Sequence, residues 1–446
     1  MSPAACNTPQ PILFHIRHFG VGGIEAALLG WLKGLDRKRF APALSIFLST
    51  HEWREIYRQR IPHDVPVHVV LADDHPIVKR HQERRDGRLN RLERLQLSWH
   101  LQSTGRQALQ RHLRQMQASY PIVVDFDHTL RKHVPTLAVP VLAVRHFAFW
   151  DEATAKARRV GRDLLAYDRV LVLNDDMRLQ AEHLYGQPAQ RGPRCVVVPN
   201  LFDLDGMRRE ARADLPQQDC ADVPYAVCVA RLDILTKGLD TLVRAWRRVV
   251  EAEPAARLIV VGDGNDRAEL QRQINAADLA SHILLAGMQT NPYPWIADAR
   301  LLVSSSRTEG ASNVLIEALA LGTPVVATDC PVGASDTLEA GRCGALVPVD
   351  DVDALAKTLL RAWHDAEWRD AMRQMGLRRA LDFSQEKGSE RLGRVVAEVL
   401  GEREQTAPAG RRPGWLPGKV NGFLLWVSVE AGPQVQMLEG TWHLLA

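Results

Sequence analysis

The chain has 446 residues, enough for two or three hydrophobic cores. Its 46% apolar and 24% charged content is that of an ordinary globular protein and excludes a disordered chain. Net charge is only +3 but uneven: residues 1–205 hold 29 Lys/Arg against 21 Asp/Glu, net +8, and the remainder 27 against 32, net −5. The first half is therefore expected to meet an anionic partner.

The six cysteines are scattered and form no C-x-x-C pair, which argues against a zinc site or a disulfide framework and for reduced thiols. Residues 1–11 are polar and lack the layout of a secretory signal. No run reaches the ~18 apolar residues that a bilayer span needs. The expectation is a cytoplasmic chain, at most peripheral at the inner face of the cell membrane.

In chain order, residues 12–16 read as a strand, 20–23 as a glycine loop and 24–35 as a helix. Short Val/Leu/Ile-rich runs follow at 43–48, 67–71, 122–126, 139–144, 170–173 and 195–198, the pattern of buried parallel strands. The second half repeats the scheme. Strands fall at 225–229, 258–261, 283–286, 301–304, 324–327 and 345–347, and helices at 239–251, 267–276, 313–321 and 353–363. Such alternation predicts an α/β chain with two doubly wound, Rossmann-like domains. Their expected limits are 1–205 and 224–385, joined by a polar linker at 206–223. A helix at 386–403 crosses back, and an irregular tail at 404–446 contains one strand at 423–429.

Residues 75–117 break the pattern. Ten Lys/Arg lie between Lys79 and Arg114 against three acids, with Leu89, Leu92, Leu95, Trp99, Leu109 and Leu113 interleaved at helical spacings. This is either a solvated helix pair or a basic amphipathic surface that docks on an anionic membrane or a lipid-linked acceptor.

The chemistry-bearing residues cluster in SSSRTEGASNVLIEALALGTPVVATDCPVG, residues 304–333. Glu309 sits in a loop after a strand, and Glu317 lies about two turns into the next helix. Gly310, Ser312 and Asn313 offer backbone N–H groups at the helix start, suited to phosphate or sugar oxygens. A carboxylate accepts two hydroxyl donors at once, the arrangement that holds vicinal diols. In VARLDILTKGLDTLVRAW, Arg231 follows a strand and Lys237–Gly238 is read as opening a helix, two cations placed for a diphosphate. Gly22 and Gly23 let backbone approach a ligand between strand and helix. The GDG at 262–264 lacks the third glycine of a dinucleotide fingerprint. Asp125 and Asp127 have the letters of a D-x-D metal motif but follow a first-domain strand.

These motifs resemble those of the family-4-type retaining glycosyltransferases of GT-B fold: an acidic residue, seven residues, an acidic residue, then a small-residue helix and GTPVVAT. The resemblance is sharp over about 225–350 and weak over about 40–190. It implies two Rossmann-like domains facing a central cleft, with the nucleotide-sugar donor on the second and a saccharide or lipid-linked acceptor on the first. It assigns Glu309 to the donor sugar hydroxyls and catalysis, Glu317 to the ribose, and Gly310, Ala311, Asn313 and Gly262 to the donor site. Arg231 and Lys237 neutralise the diphosphate, and Gly22 and Gly23 face it. His128, then His146, are the candidates for the histidine near the reacting sugar.

The chain departs from the family at Ala230, where glycine is usual, at VDFDHTL, which lacks a histidine pair, and at Ala334-Ser335-Asp336, where Pro-Ser-Glu is more frequent. The resemblance implies retention of anomeric configuration, a UDP-sugar donor, hexosyl or N-acetylhexosaminyl transfer in cell-envelope synthesis, and no metal, other cofactor or nucleic acid. The alternatives are a non-catalytic scaffold of the same fold and, more remotely, an NAD(P)-dependent oxidoreductase.

Overall fold

The computed structural model describes residues 8–20, 22–85, 87–147, 155–185, 194–215, 223–406, 415–420, 423–428, 435–438 and 441–444. Two compact units are present, residues 1–395 and 396–446.

The first unit holds two parallel sheets. The N-terminal sheet contains β1 (Gln10–Ile16), β2 (Phe40–Leu48), β3 (Val67–Leu71), β4 (Val123–Asp125), β5 (Val141–Arg145), β6 (Arg169–Val172) and β7 (Cys195–Val197). Their order is β3-β2-β1-β4-β5-β6-β7. The second sheet contains β8 (Tyr225–Val229), β9 (Arg257–Val261), β10 (Ile283–Gly287), β11 (Leu301–Ser304), β12 (Val325–Thr328) and β13 (Ala345–Val347). Its order is β10-β9-β8-β11-β12-β13. Strands of nearly continuous Val, Leu and Ile can be buried on both faces only if helices cover both, which the intervening helices do. In the first core Trp31 packs edge-on against Phe14 and Phe126, with ring centroids 6.1 and 5.6 Å apart. In the second, Trp246 meets Trp363 at 6.2 Å. Fully burying a Phe or Leu side chain contributes roughly 1.5–3 kcal/mol, so these contacts, not the loops, fix the two sheets.

Strand β2 starts at Phe40, three residues before the expected run, although Pro42 lies inside it. Pairing with β3 begins only at Leu44, so the missing Pro42 N–H falls where no partner strand exists. Helix Leu204–Glu210 runs from the end of the first expected domain into the expected linker at 206–223 and buries Leu204 and Met207 with Leu315 and Leu319 of the second domain. After Phe383 the chain returns to the N-terminal half. Gln385 N–H donates to the Phe202 carbonyl at 3.2 Å, and Ser389 Oγ accepts from Asp36 N–H at 3.1 Å.

The tail expected to hold one strand holds four. In the second unit β14 (Trp415–Val420) pairs antiparallel with β15 (Phe423–Ser428), and β16 (Val435–Leu438) with β17 (Thr441–Leu444). Val420 pairs with Phe423, and the two intervening residues in sequence are Asn and Gly, a strong short-range hairpin signal that the lack of helical periodicity obscured.

Candidate functional site

In each sheet the strand order reverses beside the first strand, between β1 and β4 and between β8 and β11. Connections leave such a point in opposite directions and open a crevice beyond the carboxyl ends of the strands, where ligands of doubly wound folds bind.

At the β8/β11 crevice the loop after β11 turns back over the end of β8. Lys237 Nζ lies 2.6 Å from Glu309 Oε1, with the two side chains 20% and 13% exposed. Ser306 Oγ donates to the same carboxylate oxygen at 2.6 Å. Lys237 stands just before a helix, as its sequence context suggested, with Gly238 as the helix N-cap. It ends the one-turn helix Ile234–Lys237, and Gly238, with φ of 59°, breaks the chain before helix Leu239–Ala252. The break frees the ammonium to point at the loop. Arg231 is 65% exposed and contacts Asp233 Oδ2 at 3.2 Å; no contact brings it to Lys237 or Glu309 among the described residues.

Arg307, which sequence reasoning passed over, holds this arrangement. Its Nη2 meets Asp240 at 2.9 Å, its Nε meets Asp350 at 2.7 Å, and its Nη1 donates to the Ile234 carbonyl at 3.0 Å. Its own N–H donates to the Thr236 carbonyl. One guanidinium thus ties the Glu309 loop to the helix carrying Lys237. The hydrogen bond it donates to Asp240 and the neighbouring carboxylates favour its charged form further.

Helix Asn313–Leu321 begins at Ser312, whose side chain makes no capping bond, so the amides of its first turn face the loop. Glu317 is half-buried on this helix, and burial pushes its carboxyl up to about 7. Its charge in turn adds to the burial that raises the phenol of Tyr293. Gly262 has φ of 135°, and a Cβ there would fall 2.0 Å from the Ala230 carbonyl oxygen, so only glycine lets β9 pass the end of β8.

The N-terminal half meets the loop from the other side. A Cβ at Gly310 would fall 2.0 Å from the His146 carbonyl oxygen, and Asn174 Nδ2 donates to the Gly310 carbonyl at 2.9 Å. Ala311 lies beside Gly333. Asn200 Nδ2 donates to Asn313 Oδ1 at 2.8 Å. Asn174 and Asn200 were also missed. The available signal was a polar residue directly after a buried strand, Asn174 beyond β6 and Asn200 beyond β7.

At the β1/β4 crevice, Asp125 is fully buried and accepts from Leu130 N–H at 2.7 Å and from Tyr167 Oη at 2.7 Å. Burial and Asp127 push its carboxyl up to about 8. Asp127 accepts from Arg17 N–H at 2.9 Å and Thr129 Oγ1 at 2.7 Å. Both carboxylates therefore shape the turn that carries His128, whose φ of 58° is a region side chains rarely adopt. Burial, with Arg145 and His146 nearby, pushes the His128 imidazole down to about 3, and its buried Nε2 has no partner among the described residues. His146 Nε2 donates to the Phe126 carbonyl at 3.0 Å, and burial pushes its imidazole down to about 4. Gly22 caps helix Gly23–Gly34 in extended conformation, and Glu25 folds back to accept from Gly20 N–H at 2.9 Å.

A profile of the family described as glycosyl transferases group 1 matches residues 223–365. An uncharacterized glycosyltransferase of Methanocaldococcus jannaschii is 35% identical over 162 residues, 36% of this chain and 39% of that protein. The N-acetylgalactosamine-N,N'-diacetylbacillosaminyl-diphospho-undecaprenol 4-alpha-N-acetylgalactosaminyltransferase of Campylobacter jejuni is 31% identical over 194 residues, 44% of this chain and 51% of that protein. The chain thus spans between 39% and 51% of these curated relatives' own length. Among solved structures, HepE of Anabaena in complex with UDP and glucose aligns with TM-score 0.68 at 18% identity, over 87% of this chain and 100% of that one. TarM of S. aureus aligns with TM-score 0.67 at 13% identity, over 86% of this chain and 98% of that one. Residues 223–365 thus match the glycosyl transferases group 1 family, and the chain has the GT-B architecture of two Rossmann-like sheets facing a cleft.

Proposed function

We propose that this chain transfers a hexosyl or N-acetylhexosaminyl group from a UDP-sugar to a saccharide or lipid-linked acceptor of the cell envelope, with retention. The observation that carries the reading is the Lys237–Glu309 contact of 2.6 Å at the crevice between β8 and β11, inside the group 1 domain. The UDP found in complex with HepE supports the choice of base.

In this reading Lys237, and Arg231 swinging in from solvent, meet the diphosphate. Glu309, released from the lysine by that competing anion, accepts hydroxyl hydrogens of the sugar. Glu317 and Asn313 take the ribose, Gly310 and Ala311 supply backbone amides, and Gly262, Gly22 and Gly23 leave room for the phosphates. The bond from the anomeric carbon to the diphosphate oxygen breaks while the acceptor oxygen bonds to that carbon. The acceptor proton passes to the departing diphosphate, whose charge the two cations stabilise. These cations make a metal unnecessary in this reading. His128 and His146 stand on the acceptor side of the cleft.

The test is calorimetric titration with UDP, GDP, ADP and dTDP, with and without EDTA, followed by turnover of UDP-sugars. UDP binding that survives EDTA and weakens tenfold or more in Lys237→Ala is expected. Glu309→Ala should keep UDP binding and lose turnover by several powers of ten. A cooperatively folded protein that binds no nucleotide would instead favour the non-catalytic scaffold.

A further inference from the structure

The basic segment at 75–117 separates into two faces. Leu89, Leu97, Leu109 and Leu113 are buried, whereas Leu92, Leu95 and Trp99 on helix Arg91–His100 are 71%, 63% and 66% exposed. At about 100° per residue the three exposed side chains share one stripe, roughly opposite Leu97. The helix is well started: Asn90 and Glu93 form a reciprocal capping box with bonds of 3.0 and 2.8 Å. Three large apolar side chains therefore face solvent from a rigid, docked helix, which the hydrophobic effect disfavours unless something covers them.

The flank of the stripe is cationic. An open cavity of about 640 Å³ at the elbow between helices Pro76–Arg85 and Arg91–His100 is lined by Arg84, Arg91 and Arg94 with Leu89 and Leu95, and among the described residues no acidic side chain lines it. Arg94 Nε donates to the Leu89 carbonyl at 3.0 Å, which fixes its guanidinium at the rim. Glu93, the acid of this helix, accepts from the cap. A second copy of the chain seated on the stripe would bring two sets of arginines together, at an electrostatic cost. An anionic lipid surface satisfies both parts, because acyl chains cover Leu92, Leu95 and Trp99 while headgroup phosphates enter the arginine-lined cavity.

We infer that helix Arg91–His100 is a membrane-docking element, in which Leu92, Leu95 and Trp99 enter the outer acyl layer and Arg84, Arg91 and Arg94 hold anionic headgroups. This extends the lipid-linked reading of the acceptor, and UDP titration on the same samples separates failure of one from failure of the other.

The test is flotation of the full chain with vesicles of one-third phosphatidylglycerol in phosphatidylcholine, against phosphatidylcholine alone. Co-flotation with the anionic vesicles only is expected. The triple variant Leu92→Glu, Leu95→Glu, Trp99→Glu should lower the partition at least about tenfold with unchanged thermal midpoint and UDP affinity. Arg84→Gln, Arg91→Gln, Arg94→Gln together should do the same while leaving the apolar stripe intact. A native chain that binds UDP but floats with neither vesicle overturns the proposal. So does a triple variant that floats like the native chain, or a native dimer that the glutamates dissociate.

Discussion

Asn174 Nδ2 donates to the Gly310 carbonyl at 2.9 Å, across 136 residues of sequence and from one sheet to the loop of the other. The asparagine is buried, and its Oδ1 accepts from Met177 N–H at 2.9 Å, so its amide is held at both ends. One end caps the helix after β6; the other fixes the residue that follows Glu309.

Asn174→Ala should therefore act on both. Losing a buried hydrogen bond and leaving the Gly310 carbonyl unmatched costs about 1–3 kcal/mol. Chemical denaturation should show that loss, and turnover should fall further than stability explains because the Glu309 loop loses its anchor. Turnover equal to the native chain's, measured well below the unfolding temperature, would mean that the loop is positioned by other contacts.

Arg307 makes a second prediction. Its three nitrogens reach Asp240, Asp350 and a main-chain carbonyl, a fork that an ammonium cannot reproduce. Arg307→Lys should fold yet bind UDP about tenfold more weakly, although Arg307 itself is turned towards Asp240 and Asp350. Double substitution with Lys237→Ala should be less than additive, since both remove the same placement of the lysine. Additive losses in calorimetry would mean that Arg307 supports binding independently of Lys237, and unchanged UDP affinity of Arg307→Lys would assign it to stability alone.

Much of the second domain was readable because its signals are local. Strands 225–229 and 301–304 and helix 313–321 are apolar runs closed by polar residues or glycine, and the structure gives the same limits. The termination of the last is physical: Gly322 has φ of 76°, a helix stop that side-chain-bearing residues resist. Lys237 and Glu309 were likewise legible as site candidates, as was the helix that opens after Lys237–Gly238. Arg307, Asn174 and Asn200 were not legible in this way. Their partners lie 43 to 136 residues away, and no local periodicity reports such pairs. The pairing of β14 with β15 had a signal in the Asn-Gly between them in sequence; it was outweighed by the lack of periodicity over a longer window.

Burial holds the Glu317 carboxyl at about 7. If the ionised form receives the ribose hydroxyls, nucleotide binding must first remove a proton at any pH below that value. Affinity should then fall by up to about tenfold per pH unit below 7 and level off above it. Glu317→Gln should bind more weakly at pH 8. The ratio of native to variant affinity cancels the ligand's own titration and should shrink towards pH 5.5. A constant ratio would place the proton elsewhere.

The last prediction concerns acid. Burial pushes His15 down to about 3, and His18, His81 and His112 to about 4, against an ordinary value of 6.5. His128 and His146, at about 3 and about 4, behave alike. Between 6.5 and those values the unfolded chain binds protons that the folded chain refuses, so stability is fully present above 6.5 and is lost as pH falls. Each group contributes up to about 1.4 kcal/mol per pH unit. Asp125 and Glu317 act in the opposite direction: their folded values near 8 and 7 lie above those of the unfolded carboxyls, so their penalties ease as pH falls, offsetting about two histidines. Six histidines against these two carboxyls leave a net loss. Urea midpoints should rise slightly from pH 8 to about 7 and fall between 6 and 5, with the N-terminal half opening first because all six histidines lie in its sheet, its loops or helices Pro76–Arg85 and Arg106–Met116. His15 also contacts Ser45 Oγ at 3.1 Å, which in turn meets His112 at 2.9 Å. His112→Gln keeps a polar partner for Ser45 and removes one titrating ring, so it should shift the acid transition downwards. A midpoint independent of pH in this window would mean that these rings take up protons without opening the fold.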